Sequence, residues 1–223
     1  MKLKKQHWVP QSYLKAWCDP EASATHDPYV WCFSKDGKEV KKRAPKNLFL
    51  QNEFYTIHLD DGARDLTVEH GLAGLEDAFV SLRDGRLSKR SVLSPEEDLL
   101  LRAFAGAMKS RTRGHLQHMQ RQFKSALDMG ESVRQQMLAR SPSERIGMAP
   151  SLGPMDPESS MTLEELRELA EGSVGPMVVA EVQVQLPILS QMNLAVLCTD
   201  EPLGFITSDM PCAWFDPKPT RGR

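Results

Sequence analysis

The sequence lacks the local signatures of several common protein classes. No apolar run approaches the roughly 18 residues that a membrane-spanning helix needs. The basic segment from Met1 to Lys5 is followed by Gln6 and His7, where a secretory signal would need an apolar stretch. We therefore expect a cytoplasmic protein that has no contact with a membrane.

Cysteine is scarce, and its spacing carries no metal-binding pattern. No Cys-x-x-Cys pair is present, although structural zinc sites favour such close ligand spacing. We therefore expect no zinc knuckle, and we expect the four thiols to be buried. They are Cys18, Cys32, Cys198 and Cys212. The sequence also has no phosphate-cradling glycine loop, no nucleophile elbow and no dinucleotide fingerprint.

What is present is an ordinary globular composition, with 40% hydrophobic and 26% charged residues among 223. We expect a single domain, with a flexible loop or insertion at 141–161 that is rich in proline, glycine, serine and methionine. The net charge of −2 says little about partners, but three basic clusters could meet nucleic-acid phosphates or form solvated faces. They are Lys2, Lys4 and Lys5; Lys41, Lys42, Arg43 and Lys46; and Lys109, Arg111, Arg113, Arg121 and Lys124.

The hydrophobic pattern predicts an α+β fold that is mainly helical, with small antiparallel β elements near both ends of the chain. The predicted helices are 66–83, 94–129, 163–170 and 178–189, and the predicted strands are 29–33, 38–42, 54–57, 194–198 and 204–207. Part of the last helix alternates like a strand, so both interpretations stay open there, and helix is favoured. Gly130 is expected to end the long second helix.

His7 lies on a segment that is expected to change from extended to helical at Pro10. Proline is tolerated in a first helical turn and pushes the residue before it towards extended geometry. Tyr13, Leu14 and Trp17 can anchor the short helix that follows. The imidazole is therefore expected to occupy a defined position, as a reagent must.

Charged residues interrupt two apolar helix faces. Glu69 and Glu76 are two helical turns apart and point nearly the same way, inside a widened apolar arc. Arg111 and His115 occupy positions of the long helix where apolar side chains are expected. Burying a carboxylate costs free energy unless a cationic side chain or a metal ion compensates its charge. Arg111 would suit the glutamates as a bidentate partner.

These charges support two interpretations. In the first, Glu69, Glu76 and Arg111 form a buried structural ion-pair network. In the second, His7 and Asp209 join them in a site where the three carboxylates hold a divalent cation, for which oxygen ligands favour magnesium or manganese. His7, Glu76 and Arg111 would be the catalytic residues. Asp209 follows a predicted strand, although a Ser-Asp pair before a turn is also routine local hydrogen bonding.

His115 and His118 are weaker candidates for a metal site. They lie three residues apart on one predicted helix, a spacing that could share a metal ion. No acidic residue lies beside them in the sequence, so we assign them no site.

Five segments together resemble the bacterial domain-of-unknown-function family 4238. They are 6–14, which reads QHWVPQSYL; 52–55; the Glu69 to Glu76 helix; Phe104-Ala105 leading to Arg111; and 205–211, which reads FITSDMP. The resemblance implies recurrent polar positions at His7, Glu69, Glu76, Arg111 and Asp209, without an established activity. The family usually has Arg-Thr-Pro where this chain has Arg-Thr-Arg, so the long helix is expected to continue unkinked. Members usually run well past the closing motif, so we expect a final strand or helix to be missing here.

Two hypotheses of function follow. The first is a metal-assisted phosphodiester hydrolase, most simply a nuclease, with His7 as general acid or base and Arg111 binding phosphate. The second is a non-catalytic binding or regulatory module whose charge cluster stabilises the fold.

Overall fold

The computed structural model describes residues 5–18, 27–144, 161–200 and 204–213. Helices dominate these residues, and their strands form three two-stranded antiparallel sheets in the N-terminal region. The helices are α1 (Gln11–Lys15), α2 (Thr67–Gly85), α3 (Pro95–Ser110), α4 (Arg113–Ala139), α5 (Leu163–Glu171) and α6 (Gly175–Ser190). The strands are β1 (Lys5–His7), β2 (Val30–Phe33), β3 (Val40–Arg43), β4 (Leu50–Asn52), β5 (Ile57–His58) and β6 (Arg64–Asp65). The predicted α+β, mainly helical class is confirmed.

The N-terminal segment changes from strand to helix at Pro10, as predicted. Strand β1 pairs with β4, with His7 opposite Leu50. The buried side chain of Gln6 then fixes the turn at 53–56: its Oε1 accepts from the Tyr55 amide at 2.6 Å, and its Nε2 donates to the Thr56 hydroxyl at 3.1 Å. Most of the strand predicted at 54–57 is therefore this turn, and only the two-residue strand β5 follows it.

Helices α2 and α3 pack face to face through their apolar stripes. The rings of Phe79 and Phe104 stack with centroids 3.7 Å apart. Helix α3 begins with a capping box in which the Ser94 hydroxyl accepts from the Glu97 amide and the Glu97 carboxylate accepts from the Ser94 amide. Both helix predictions are confirmed at their N-terminal ends.

The prediction of one continuous helix over 94–129 is wrong, because the chain breaks between α3 and α4. Thr112 is extended, with φ −67° and ψ 140°, and α4 starts at Arg113. Ser110, Arg111 and Thr112 are 0%, 3% and 1% exposed. The break directs two neighbouring polar side chains to different elements, since Ser110 donates to a carboxylate on α6 and Arg111 donates to one on α2.

Gly130 does not end a helix, which corrects a second prediction. Helix α4 continues to Ala139. A Cβ at Gly130 would lie 2.5 Å from Cδ2 of Leu163, so the absent side chain makes room for α5. An ion pair of 2.7 Å between Arg167 and Glu131 joins the two helices beside this point. Gly130 is therefore a close-approach residue.

The C-terminal part of the chain is partly as predicted. Helix α6 confirms the favoured interpretation of 178–189. The segments 194–198 and 204–207 contain no strand, so the predicted closing hairpin is absent from the described residues. Both segments are largely exposed, and no third strand covers them, as a stable hairpin requires. Most of the loop predicted at 141–161, residues 145–160, lies outside the described residues.

Two apolar clusters form the core. The first contains Tyr55, Val68, Leu72, Ala107, Leu116, Val174, Met177 and Val178. The second contains Val9, Leu14, Phe79, Phe104 and Met108. Glu76 lies between Leu72 and Phe79 on α2, and Arg111 follows Met108, so both charged residues lie where the two clusters meet.

The remaining predictions concern the thiols and the membrane. All four cysteines are free; Cys198 is exposed and the other three are half-buried. The prediction that they are buried is therefore wrong, because none packs fully into either core cluster. In the described residues, no helix combines the length and the apolar character needed to span a membrane.

Candidate functional site

Arg111 is the centre of the candidate site and is almost completely buried, with 3% of its side chain exposed. Its Nη1 donates to Oε1 of Glu76 at 2.7 Å, and its Nη2 donates to the backbone carbonyl of His7 at 2.5 Å. The Tyr55 hydroxyl donates to the Arg111 carbonyl at 3.2 Å. One residue thus joins β1, the Tyr55 turn, α2 and the end of α3.

The charge on Arg111 is held by Glu76. Burial opposes the charge, but the neighbouring Tyr55 and Glu76 raise the pKa of Arg111 overall. Burial also raises the pKa of Tyr55 to about 12, so the phenol is neutral at pH 7. Glu76 is therefore the anion that compensates the guanidinium, in a charge-assisted hydrogen bond.

Glu76 has a hydrogen-bond partner for each of its oxygens. Its Oε2 accepts from the Ser12 hydroxyl at 3.4 Å, and the side chain is only 19% exposed. The Ser12 carbonyl accepts from Nη1 of Arg83 at 3.2 Å, which holds α1 against α2. Glu76 thus connects Arg111 to the short helix that follows His7.

Glu69 lies two turns before Glu76 on α2 and is half-buried. Burial raises its pKa; the positive charge of Arg111 lowers it, and the negative charge of Glu76 raises it further. The carboxylate makes no hydrogen bond or ion pair with any residue that the structure describes. Glu69 therefore holds its proton more tightly than an exposed glutamate does, and its carboxylate is not engaged by any described residue.

His7 has one engaged group and one unengaged group. Its backbone carbonyl accepts from Arg111, as described above. Burial lowers the pKa of the imidazole, although a backbone hydrogen bond at Lys46 and the charge of Glu76 raise it. Its Nε2 is buried without a hydrogen-bond partner among the described residues. The neutral ring therefore has a nitrogen that could accept or carry a proton.

Asp209 returns towards the site without joining it. The nearby hydroxyls of Thr207 and Tyr13 are 2.9 Å apart, and the Met210 sulfur lies close to Gly114 at the start of α4. The C-terminal segment therefore reaches α1 and α4. The Asp209 side chain is exposed and, within the described residues, makes no hydrogen bond or ion pair.

The predicted metal ligands are not grouped. In the ranges that the structure covers, no three His, Cys, Asp or Glu side chains come together as a group able to hold a metal ion. Glu76 is engaged by Arg111, and Asp209 is exposed. The binding of magnesium or manganese by Glu69, Glu76 and Asp209 stays a prediction.

A second buried polar cluster was not predicted. Oε2 of Glu181 accepts from the Ser110 hydroxyl at 3.0 Å and from Nε2 of Gln185 at 2.5 Å, and it lies 2.9 Å from Nε2 of His115. No acidic residue lies beside His115 in the sequence, but the fold supplies one from α6, 66 residues along the chain. Glu181 is the single charged residue between 172 and 199, a signal that could have marked it as buried and paired.

Comparison with known proteins gives one match. The model of a family described as protein of unknown function, DUF4238, matches residues 5–223. The chain belongs to this family. The resemblance inferred from the opening and closing motifs is thus confirmed. Searches of curated proteins and of solved structures found no match. The family's description names no activity, so the role of the site has to be inferred from its geometry.

Proposed function

We propose that this protein is a non-catalytic binding or regulatory module in which the Arg111–Glu76 pair stabilises the fold. The observation that carries the proposal is the burial of Arg111, whose two terminal nitrogens both donate to groups of the chain itself. Nε of Arg111 has no hydrogen-bond partner among the described residues, but it is buried, and the side chain is only 3% exposed. An incoming phosphate could therefore reach this guanidinium only if the surrounding core opened.

The pair also has the energetic character of a structural element. Removing one partner of a buried ion pair leaves the other charge uncompensated and typically costs about 3–5 kcal/mol. Arg111 is buried enough for this argument, and Glu76 is mostly so. The pair connects segments that are 35 residues apart, so its loss should affect the whole fold.

A second candidate is a metal-assisted phosphodiester hydrolase, most simply a nuclease. It is favoured by the unpartnered Nε2 of His7 and by the unpaired Glu69, because a purely structural network would satisfy both groups. The lowered pKa of His7 suits a general base at neutral pH. Magnesium or manganese bound by Glu69, Glu76 and Asp209 would activate water.

One set of variants tests the structural role of the pair. We expect Glu76→Gln and Arg111→Met each to lower the melting temperature by roughly 5 °C or more, because each leaves a buried partner unmatched. Asp77→Asn, a change of an exposed carboxylate on the same helix, is the matched control and should melt like the wild type. Wild-type melting of Glu76→Gln and Arg111→Met would contradict the proposal.

Turnover assays separate the two candidates. Purified protein is incubated with labelled RNA and DNA, with and without magnesium or manganese. Metal-dependent cleavage by the wild type that is lost in folded His7→Gln and Glu69→Gln variants would overturn the non-catalytic proposal in favour of the hydrolase. We expect no cleavage of either substrate.

A further inference from the structure

A polar groove runs along the N-terminal half of α4, away from the Arg111 cluster. It consists of two adjoining cavities of about 590 and 400 Å³, which share Gln117 and Gln120. The turn at 53–58 closes one end, and the connection between α5 and α6 forms the opposite wall. From Arg113 to Lys124 the α4 wall extends for about 16 Å, at roughly 1.5 Å per residue.

The α4 wall of the groove is basic. Arg113, Arg121 and Lys124 lie at helical spacings that place them within one arc of about 100°, with Gln117 and Gln120 between them. Arg113 and Arg121 make no ion pair with any carboxylate in the described ranges. These two guanidinium groups are exposed, so their charges are available to a ligand.

The acids of the groove are already matched. Glu53 lies 3.2 Å from Nε of Arg64 and 3.7 Å from Nε2 of His58. Glu171 lies 3.4 Å from Nζ of Lys124. Lys124 also lies 3.2 Å from Asp128, so its charge is already matched by two carboxylates. The excess charge of the groove is positive because Arg113 and Arg121 make no ion pair among the described residues. An anion is therefore the ligand that the groove complements.

One aromatic ring lines the groove, and a second ring packs beside it. Phe54 lines it, and its ring contacts that of Trp8 with centroids 5.9 Å apart. The Arg113 guanidinium lies over the Trp8 ring, 5.9 Å from its centroid. A guanidinium held against a ring gives a flat cationic surface, and the groove also offers amide donors and acceptors. Positive charge combined with stacking surfaces is the combination that proteins use for single-stranded nucleic acids.

We propose that this groove binds single-stranded nucleic acid. This proposal rests on the binding role proposed above for the protein. Phosphates contact Arg113 and Arg121, and bases contact Phe54 and the glutamine amides. The groove length corresponds to about five nucleotides at the roughly 3.4 Å spacing of a stacked strand. We expect single strands to bind better than a duplex, because only unpaired bases expose their faces for stacking on Phe54.

The test measures fluorescence anisotropy of a labelled single-stranded RNA of roughly 12 nucleotides. The groove variant carries Arg113→Gln and Arg121→Gln. Its matched control carries Arg134→Gln and Arg140→Gln, which remove the same charge at the other end of α4. We expect the groove variant to bind about tenfold more weakly at roughly 50 mM salt and the control to bind like the wild type. Each lost phosphate contact should reduce the slope of log K against log salt by about 0.7.

Three outcomes would overturn the proposal. In the first, the wild type does not bind the RNA at low salt. In the second, both double variants bind the RNA equally weakly while their melting temperatures are unchanged. In the third, a duplex or polyglutamate displaces the labelled RNA as effectively as unlabelled single-stranded RNA does. The last outcome would indicate a duplex or an acidic protein as the partner. None of the three alters the melting result for Arg111→Met, so the groove and the structural role of the ion pair fail independently.

Discussion

At the scale of single residues, the useful distinction in this protein is between buried charges that are paired and those that are not. Arg111 and Glu76 pair with each other and also bond to the His7 carbonyl and the Ser12 hydroxyl, although Nε of Arg111 has no hydrogen-bond partner among the described residues. Glu69 lies on the same helix face without a partner among the residues described. The amphipathic pattern of α2 identified both glutamates equally, because it registers the face of a residue but not its partners.

The unpaired state of Glu69 predicts a pH-dependent effect on stability. Because its pKa is raised in the folded state, the folded protein binds the proton more tightly than the unfolded chain. The contribution of Glu69 to the free energy of unfolding is fully present below its ordinary pKa of 4.5. It is lost as the pH rises through the pKa that Glu69 has in the folded protein. Glu69→Gln should therefore raise the melting temperature at pH 7 by about 1–2 °C, after allowance for solvent screening.

Melting curves followed by circular dichroism from roughly pH 3.5 to pH 8 check this prediction, and the advantage of the variant should vanish at the acid end. Glu96→Gln is a control of opposite sign. The Ser94 hydroxyl lowers the pKa of Glu96, so this variant should lose stability at neutral pH. If Glu69→Gln and Glu96→Gln changed the melting temperature in the same direction at neutral pH, the raised pKa of Glu69 would not explain the effect.

At the scale of elements, glycine has two different roles in the helices. At Gly175, the first residue of α6, a Cβ would lie 2.7 Å from the Tyr55 carbonyl oxygen and 3.3 Å from a methyl group of Val68. At Gly74, in the middle of α2, a Cβ would meet nothing within 4 Å. The same substitution should therefore have opposite effects at the two positions.

We expect Gly175→Ala to destabilise the protein by about 1–3 kcal/mol, because a backbone oxygen cannot move aside as a side chain can. Gly74→Ala should stabilise it by about 0.5–1 kcal/mol, since alanine is the better helix former. Urea unfolding of both variants measures these changes. No loss at Gly175 would show that α6 does not approach the Tyr55 turn closely. A loss at Gly74 would show that this position of α2 is not open.

The boundaries of elements show what local pattern can predict here. The capping residues Ser94 and Thr162 predicted the starts of α3 and α5, because a cap satisfies backbone groups within one turn. The break at Thr112 and the continuation of α4 through Gly130 were not predicted. Both depend on contacts with other helices. The break lets Arg111 bond to Glu76 of α2, and Gly130 leaves space for the side chain of Leu163 on α5.

At the scale of the whole molecule, burial is uneven. Helices α2, α3 and α6 supply most of the buried core residues, whereas every residue of β3 is exposed. The hairpin of β2 and β3 pairs Val30 with Arg43 at one end and Phe33 with Val40 at the other. Such a two-stranded hairpin has little intrinsic stability without a covered face.

This distribution predicts a gradient of local stability. Amides in the middle of α3, around Phe104, should exchange with solvent at least about 100-fold more slowly than amides of the β2–β3 hairpin, because the hairpin can open without unfolding the core. Hydrogen exchange followed by mass spectrometry measures both. Equal protection would mean that the hairpin belongs to the cooperative core.

Local sequence patterns were enough to predict the fold class, the family, most helix starts and the pairing of Arg111 with a glutamate of α2. These follow from local physics: hydrophobic period, capping chemistry and the cost of placing a charge on an apolar face. Three features followed from the packing of the helices: Arg111 pairs with Glu76 and not with Glu69, His115 pairs with Glu181, and three basic residues of α4 face a groove. Such pairings join residues far apart along the chain, and their geometry is set by how the helices pack.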